Sequence, residues 1–231
     1  MGASHFKVRG AWRSAREIIF GLEDGLVSTL GAVTGIAGAT FDSYTIILSG
    51  VVLVAVEALS MGVGEYLSSK SKHELWERQM REERREVHEK PEEERAELAT
   101  FLRDKGVSET DAAAAVEIIQ RYPNWMLEEM AVHELGTSPV PSPSPVIGGV
   151  YMFFAYILGG SVPLVPYMLF PASRVLIPSI VSTAIVLFLL GAIMGRVTTG
   201  RWIRSGCEMA GVSLAAAGLG LLVGRIVTAV L

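Results

Sequence analysis

Cysteine and histidine are scarce in this 231-residue chain, and their scarcity excludes several classes of function. Cys207 is the single cysteine, so the chain cannot form an internal disulfide or build a thiolate cluster for a metal. The four histidines follow none of the spacings that hold zinc. A glycine-rich phosphate loop and the nucleophile turn of hydrolases are also missing. The sequence therefore carries no signature of a zinc enzyme, a nucleotide-binding enzyme or a hydrolase.

Charged residues are almost missing from five long stretches of the chain. About 20 predominantly apolar residues are needed to cross a hydrocarbon layer of roughly 30 Å. The mean hydropathy of +0.41 agrees with several stretches of that length. We therefore predict an all-α membrane protein with five transmembrane helices, at about 16–39, 44–68, 146–169, 174–195 and 206–229.

The charge that the spans lack is concentrated in one insert. Of the 24 acidic residues, 17 lie within 70–138, together with 11 of the 20 basic residues. We expect a three-helix cytoplasmic insert here. Its first helix continues the second span, its second begins at Pro91 and its third is capped by Ser108. A last segment follows from Trp125. The predicted domains are the N-terminal arm with spans one and two (1–68), the insert with its proline-rich linker (69–145) and spans three to five (146–231).

Lysine and arginine are distributed unevenly between the two sides of the predicted membrane. The N-terminal arm, the insert and the turn at 196–204 are rich in these residues, whereas the loops at 41–43 and 170–174 contain one arginine. Because basic loops stay in the cytoplasm, we expect the N-terminus and insert inside and the C-terminus outside. The first apolar run lacks a cleavage pattern. The short arm without targeting residues favours a multi-pass protein of a bacterial inner membrane.

Acidic residues lie inside the first two predicted spans, where an ionisable side chain is costly and usually functional. One face of the second span carries Glu57, Met61 and Glu65. One face of the first span carries Glu17, Asp24 and Ser28, and we expect the neighbouring Glu23 to point elsewhere. Carboxylates suit protons, Fe(II) and Mn(II), and a thioether adds a preference for softer metals. The two faces predict a cation pathway; the alternative is a packing face with acids at the membrane interface.

The acidic residues of the insert also follow a helical spacing. Two pairs three residues apart lie on consecutive helices, and the turn at Pro91 folds those helices back so that the carboxylates can converge. The candidate metal ligands are Glu83, Glu86, Glu94, Glu97, Met130 and Glu134. The alternative is a solvated face, because arginines interleave with the acids and such runs form weak surface ion pairs. The Glu-x-x-His pairs of di-iron oxidases are absent.

Four segments resemble the vacuolar iron transporter family. They are IIFGLEDGLVSTLGAVTGIAGA (18–39), EALSMGVGEYLSSKS (57–71), NWMLEEMAVHELG (124–136) and GGSVPLVPY (159–167). The resemblance covers nearly the whole chain, and the insert lies in the expected place. It implies a proton-coupled exporter of Fe(II), and often Mn(II), from the cytoplasm. It also implies a homodimer of five-span subunits whose first two spans form the pore.

The resemblance assigns roles to residues by position. Asp24 corresponds to the pore aspartate, Met61 to the pore methionine and Glu57 to a pore-side or proton-coupling acid. The insert's four candidate glutamates, with Met130 and Glu134, correspond to the ligands of the family's cytoplasmic metal-binding domain. Ala131 replaces the second methionine that plant members tend to have, so the sulfur contribution to this site is weaker here.

The sequence thus predicts a metal/proton antiporter, not an enzyme, that exports Fe(II) and Mn(II) after the insert has collected the metal. Its predicted pathway contains Asp24, Glu57, Met61, Glu65 and Glu17. Co(II) and Zn(II) are further candidate ions, and no prosthetic group is expected. The expected partners are protons, membrane lipid and a second copy of the chain, and nucleic acid is not expected. Two alternatives stay open: a membrane-anchored iron-binding or iron-oxidising protein, and a metal sensor or scaffold without transport.

Overall fold

The structure is a computed structural model that describes residues 2–40, 42–133, 144–198 and 200–230, with side chains from Ala15 onward except at 172 and 173. Within these ranges every regular element is an α-helix and no strand is present. The helices are α1 (Gly2–Ala39), α2 (Ser43–Glu89), α3 (Pro91–Asp104), α4 (Glu109–Ile119), α5 (Pro123–His133), α6 (Pro145–Leu169), α7 (Ala172–Thr198) and α8 (Trp202–Val230). The predicted all-α class is confirmed.

Five of these helices are long and apolar enough to cross a membrane, as predicted. The segments are Ala15–Ala39 of α1, Ser43–Glu89 of α2, Pro145–Leu169 of α6, Arg174–Thr198 of α7 and Trp202–Val230 of α8. Helix α2 has 47 residues. At 1.5 Å per residue it is about 70 Å long, more than twice the thickness of the hydrocarbon layer. The chain is a multi-pass membrane protein.

The described helices fall into two compact units. The first unit contains Met1–Leu67 and Pro143–Leu231, and the second contains Ser68–Ser142. Helix α2 contributes its first part to the first unit and its last part to the second unit.

Glycine lets α1 approach two neighbouring helices closely in the first unit. A methyl group on Gly25 would overlap the backbone of α6, and one on Gly220 of α8 would overlap the carbonyl oxygen of Gly31. Gly35 and Gly224 repeat the contact one turn further along the two helices. The Gly31-x-x-x-Gly35 spacing thus permits the close approach of α1 to α8.

The core of the first unit combines side chains from four spans. Helix α2 packs on α6 through two glycines: a methyl group on Gly62 would lie 3.0 Å from the carbonyl oxygen of Gly149, and one on Gly50 would overlap Leu164. The buried side chains of this core are Val33, Ile46, Val54, Ala58, Tyr156, Leu164, Tyr167 and Val175. This packing brings the acidic faces of α1 and α2 into one unit with α6.

Asp42 fixes the start of α2. Its carboxylate accepts hydrogen bonds from the backbone N–H groups of Tyr44, at 3.3 Å, and Thr45, at 3.0 Å, and from the Thr45 hydroxyl. These bonds, the one from the Thr45 hydroxyl first, hold the pKa of Asp42 below its ordinary value. Asp42 therefore caps the helix in its ionised form.

The second unit is built around two apolar clusters. The larger contains Leu98, Val116, Ile119, Met126 and Met130, and the smaller contains Met80, Leu127 and Ala131. Pro91 begins α3 as predicted. The predicted cap of α4 is also present, because the Ser108 hydroxyl accepts a hydrogen bond from the Asp111 N–H at 3.2 Å.

Candidate functional site

Asp24 and Glu57 lie inside the first two spans and are close to each other. Both side chains are half-buried. Asp24 lies nine residues after the start of the α1 span at Ala15, about 14 Å along the helix. The two carboxylates are close enough for their charges to interact. Two like charges within the span region are costly unless a cation or a proton compensates them.

A hydroxyl pair connects α6 to this site. The Ser28 hydroxyl donates to the backbone carbonyl of Asp24 at 2.6 Å and lies 2.6 Å from the Tyr156 hydroxyl. Because Ser28 has a single proton, Tyr156 must be the donor in the second bond. Tyr156 is fully buried, and its phenol group interacts electrostatically with both Asp24 and Glu57. Tyr156 could not be predicted from the sequence, because one tyrosine in an apolar span carries no distinguishing pattern.

Met61 lies one helical turn beyond Glu57. It is half-buried and packs against the core of the first unit. Glu57, Met61 and Glu65 of α2 are all half-buried. This common burial is consistent with the prediction that they share one face of the helix. The site thus places two carboxylates and a nearby thioether on two spans.

Glu65 and Glu17 lie together at a second place in the first unit. Both are beside Gly148: a methyl group there would lie 3.5 Å from Glu65 Oε1 and 3.9 Å from Glu17 Cγ. They line a cavity of about 360 Å³, which we call the Glu17 cavity, together with Arg16, Glu23, Met152 and Met194. Glu23 lines this cavity together with Glu17, whereas Asp24 and Ser28 are not among its lining residues. Residues from more than one side of α1 therefore border the Glu17 cavity.

The candidate ligands of the second unit differ in burial. Glu83 and Glu94 are buried, with 2% and 5% of their surface exposed, and Met130 is fully buried. Glu86 is half-buried, Glu97 is exposed, and Glu134 lies outside the described residues. Within each predicted pair, one glutamate is buried and the other is more exposed: Glu83 is buried and Glu86 half-buried, and Glu94 is buried and Glu97 exposed.

Lys90 lies among these carboxylates. A hydrogen bond and the charge of Glu93 raise its pKa, and the charges of Glu86 and Glu94 raise it further. Glu86 and Glu94 are therefore both close enough to Lys90 for their charges to act on it. Across the described part of the chain, no three acidic, histidine or cysteine side chains are arranged to hold a metal ion. The metal cluster of the insert remains a prediction.

Ala131 follows Met130 in α5 and is fully buried. It packs with Met80 and Leu127 in the smaller cluster, rather than with the cluster that contains Met130. The methionine missing from this position would therefore have extended toward the smaller cluster.

Five apolar spans with carboxylates inside the first two define a polytopic membrane protein with an ionisable site in its span region. Comparison with known proteins agrees: the model of the VIT family matches residues 15–225, and the chain belongs to that family.

Named relatives support the same assignment. The chain is 33% identical over 214 residues to vacuolar iron transporter 1 of Arabidopsis thaliana, which covers 92% of this chain and 85% of the relative. It is 35% identical over 188 residues to vacuolar iron transporter 2 of Oryza sativa subsp. japonica, covering 80% and 76%. A vacuolar iron transporter of Toxoplasma gondii is 29% identical over 205 residues, covering 84% and 68%. The resemblance found from the four segments is confirmed.

Proposed function

We propose that this chain transports divalent metal ions across a membrane, with Fe(II) as a substrate and Mn(II) as a second one. The observation that carries the proposal is the pair of half-buried carboxylates, Asp24 and Glu57, on two spans with Met61 one turn away. Oxygen ligands with one thioether suit these ions. The relatives are named iron transporters, which supports Fe(II) as the cargo.

Exchange of the metal for protons follows from the charge of the site. Asp24 and Glu57 repel each other when both are ionised, so a divalent cation or protons must compensate them. Metal and protons therefore compete for the same oxygen atoms. Protons that enter from an acidic outer side neutralise the carboxylates and release the metal there. Alternating exposure of the site to the two sides then completes an antiport cycle.

A second copy of the chain completes the site in this proposal. Two carboxylates and one thioether leave an octahedral ion such as Mn(II) short of ligands. A homodimer whose α1 and α2 helices meet would double the set. The exposed apolar side chains of α2, which include Val52, Val56 and Leu59, offer a surface for such contact.

The second unit collects the metal in this proposal. Its acidic residues outnumber its basic ones, and such an excess raises the local cation concentration. Glu83, Glu94 and Met130 are the buried members of the predicted ligand set. The basic loops support a cytoplasmic location for this unit, and hence export from the cytoplasm. The bacterial inner membrane remains a prediction, since the relatives named above come from plants and a parasite.

Transport in proteoliposomes tests the proposal. Purified protein is reconstituted with a metal-sensitive dye and a pH-sensitive dye inside, a proton gradient is imposed, and Fe(II), Mn(II), Co(II) or Zn(II) is added outside under anaerobic conditions. Metal entry matched by proton exit supports antiport. Metal movement without proton movement would identify a channel or a uniporter. Metal binding without movement would favour the sensor, and oxygen consumption with Fe(II) would favour the iron-oxidising protein.

Asp24→Asn is the decisive variant for the site. It keeps the size of the side chain but removes the charge. Each charge-assisted contact contributes about 1.5–3 kcal/mol, so metal affinity should fall about 10- to 100-fold and proton exit should fall with it. Glu208→Gln is the matched control, because Glu208 is exposed and pairs with Arg204 at 2.9 Å. Full coupled transport by Asp24→Asn would reject the site.

Met61→Leu tests the thioether. The substitution keeps the volume and the apolar character but removes the sulfur atom, so transport of Fe(II) should fall more than transport of Mn(II). Met168→Leu is the control, since Met168 is 61% exposed on α6. The readout is the ratio of Fe(II) to Mn(II) uptake. An unchanged ratio would remove Met61 from the ligand set.

A further inference from the structure

The second unit contains a cavity lined mainly by basic and apolar residues, with Glu94 of the predicted metal ligands among them. Its volume is about 600 Å³, within the range of roughly 300–1,000 Å³ that small-molecule sites occupy. Four arginines line it, and we call it the arginine cavity. They are Arg81, Arg84 and Arg85 of α2 and Arg95 of α3. The function proposed above uses none of them.

The arginines are only weakly compensated. Arg81 pairs with Glu77 at 3.4 Å and Arg85 with Glu89 at 3.6 Å. In both ion pairs the arginine and the glutamate side chains are largely exposed. Arg84 makes no ion pair with any residue that the structure describes. Such exposed ion pairs contribute little and yield readily to a stronger ligand.

Arg95 is held by a closer ion pair. Its guanidinium lies 2.8 Å from Glu92, whose side chain is 83% exposed. Glu92 does not line the cavity, whereas Arg95 does. The two carboxylates in the lining are Glu89 and Glu94, so the lining itself has four guanidinium groups and two acids, while Glu77 and Glu92 pair with Arg81 and Arg95 from outside it.

Two helices begin at this cavity. Pro91 at the start of α3 and Pro123 at the start of α5 both line it, so the positive ends of two helix dipoles lie at its edge. Asn124 and Gln120 add amide groups that can donate hydrogen bonds. Acidic residues in the first turn of α3 compensate the positive end of its dipole. The first turn of α5 contains no acidic residue, so its positive end is not compensated in this way.

The floor of the cavity is apolar. Val87, Met126 and Leu127 line it together with the two prolines. A free phosphate or chloride ion would leave this surface without a partner. The lining therefore fits an anion that carries several charged groups on an organic body, because guanidinium groups bind phosphate and carboxylate oxygens in pairs.

We propose that the arginine cavity binds a small organic anion with two or more phosphate or carboxylate groups. The arginines hold the charged groups, the helix starts and amides hold further oxygens, and the apolar floor contacts the carbon skeleton. The site lies within the second unit alone, and its occupancy does not depend on transport.

Isothermal titration calorimetry on the full-length protein in detergent tests this proposal. The probes are ATP, citrate, inorganic phosphate and glycerol 3-phosphate, the last as the soluble head group of an anionic lipid, all in metal-free buffer. ATP or citrate should bind saturably with one molecule per chain, and inorganic phosphate more weakly. The absence of saturable binding would overturn the proposal. Binding of glycerol 3-phosphate as tight as that of ATP would assign the cavity to lipid and overturn it as well.

Two variants on different helices localise the binding. Arg84→Gln and Arg95→Gln should each weaken it about tenfold, which is the effect of one charge-assisted hydrogen bond. Arg78→Gln removes the same charge from an exposed position of α2 outside the lining, and it should leave binding unchanged. Equal losses in all three variants would show a general charge effect and overturn the site. Thermal unfolding curves check that each variant is folded.

Discussion

Replacing Gly220 by alanine should separate α8 from α1 and lower the stability of the first unit. A methyl group at Gly220 would overlap the carbonyl oxygen of Gly31, whereas one at Gly218 would have no atom within 4 Å. Both changes gain the helix-forming advantage of alanine, about 0.5–1 kcal/mol. Only Gly220→Ala adds the cost of overpacking, about 1–3 kcal/mol. The obstacle is backbone, which cannot rotate away, so we expect a difference of about 2–3 kcal/mol between the two variants.

The assay is thermal unfolding of the purified full-length chain in detergent, followed by tryptophan fluorescence. A chain of this size shifts by roughly 2–4 °C per kcal/mol, so Gly220→Ala should melt roughly 4–12 °C below Gly218→Ala. Gly31→Ala should fall between the two, because its methyl group would lie 3.4 Å from the carbonyl oxygen of Ala216. Equal melting temperatures for Gly218→Ala and Gly220→Ala would refute the close packing of α1 on α8.

Two further predictions concern Asp42 and the second unit. The lowered pKa of Asp42 means that its capping contribution is present above the ordinary aspartate pKa and is lost as the pH falls through the lowered value. The melting temperature of the wild type should therefore exceed that of Asp42→Ala at pH 7, and the gap should shrink below about pH 4; a constant gap would contradict capping by the ionised Asp42 carboxylate. For the metal ligands, Glu94→Gln should weaken Mn(II) binding about tenfold and Glu97→Gln little, because Glu94 is buried and Glu97 is exposed. Equal losses in calorimetry would contradict this order.

The parts of the fold that depend on local chemistry could be read from the sequence. The apolar runs predicted the five spans because the hydrocarbon layer sets both their length and their lack of charge. Pro91 and Ser108 marked the starts of α3 and α4, since a missing N–H group and a capping hydroxyl act within a single turn. The contact of Gly31 and Gly35 with α8 depends on a helix much later in the chain, which the glycine spacing of α1 does not identify.

The parts of the site that depend on distant contacts could not be read in the same way. Tyr156 reaches Ser28 across 128 positions of the chain, and no pattern in either span predicts that bond. Glu23 borders the Glu17 cavity because α6 and α7 complete the space, which the periodicity of α1 alone does not contain. In the second unit the spacing grouped Glu94 with Glu97, but packing buries only the first.

The glycine contact between α1 and α8 has a consequence for the order of assembly. Gly31 and Gly220 are separated by 189 residues, so the first span is synthesised long before its partner. At about 5–20 residues per second, the ribosome needs roughly 10 to 40 s to bridge that interval. Throughout that time the surface of α1 around Gly31 and Gly35 lacks its partner glycines on α8. The contact between α1 and α8 therefore forms late, only after residue 220 has been synthesised.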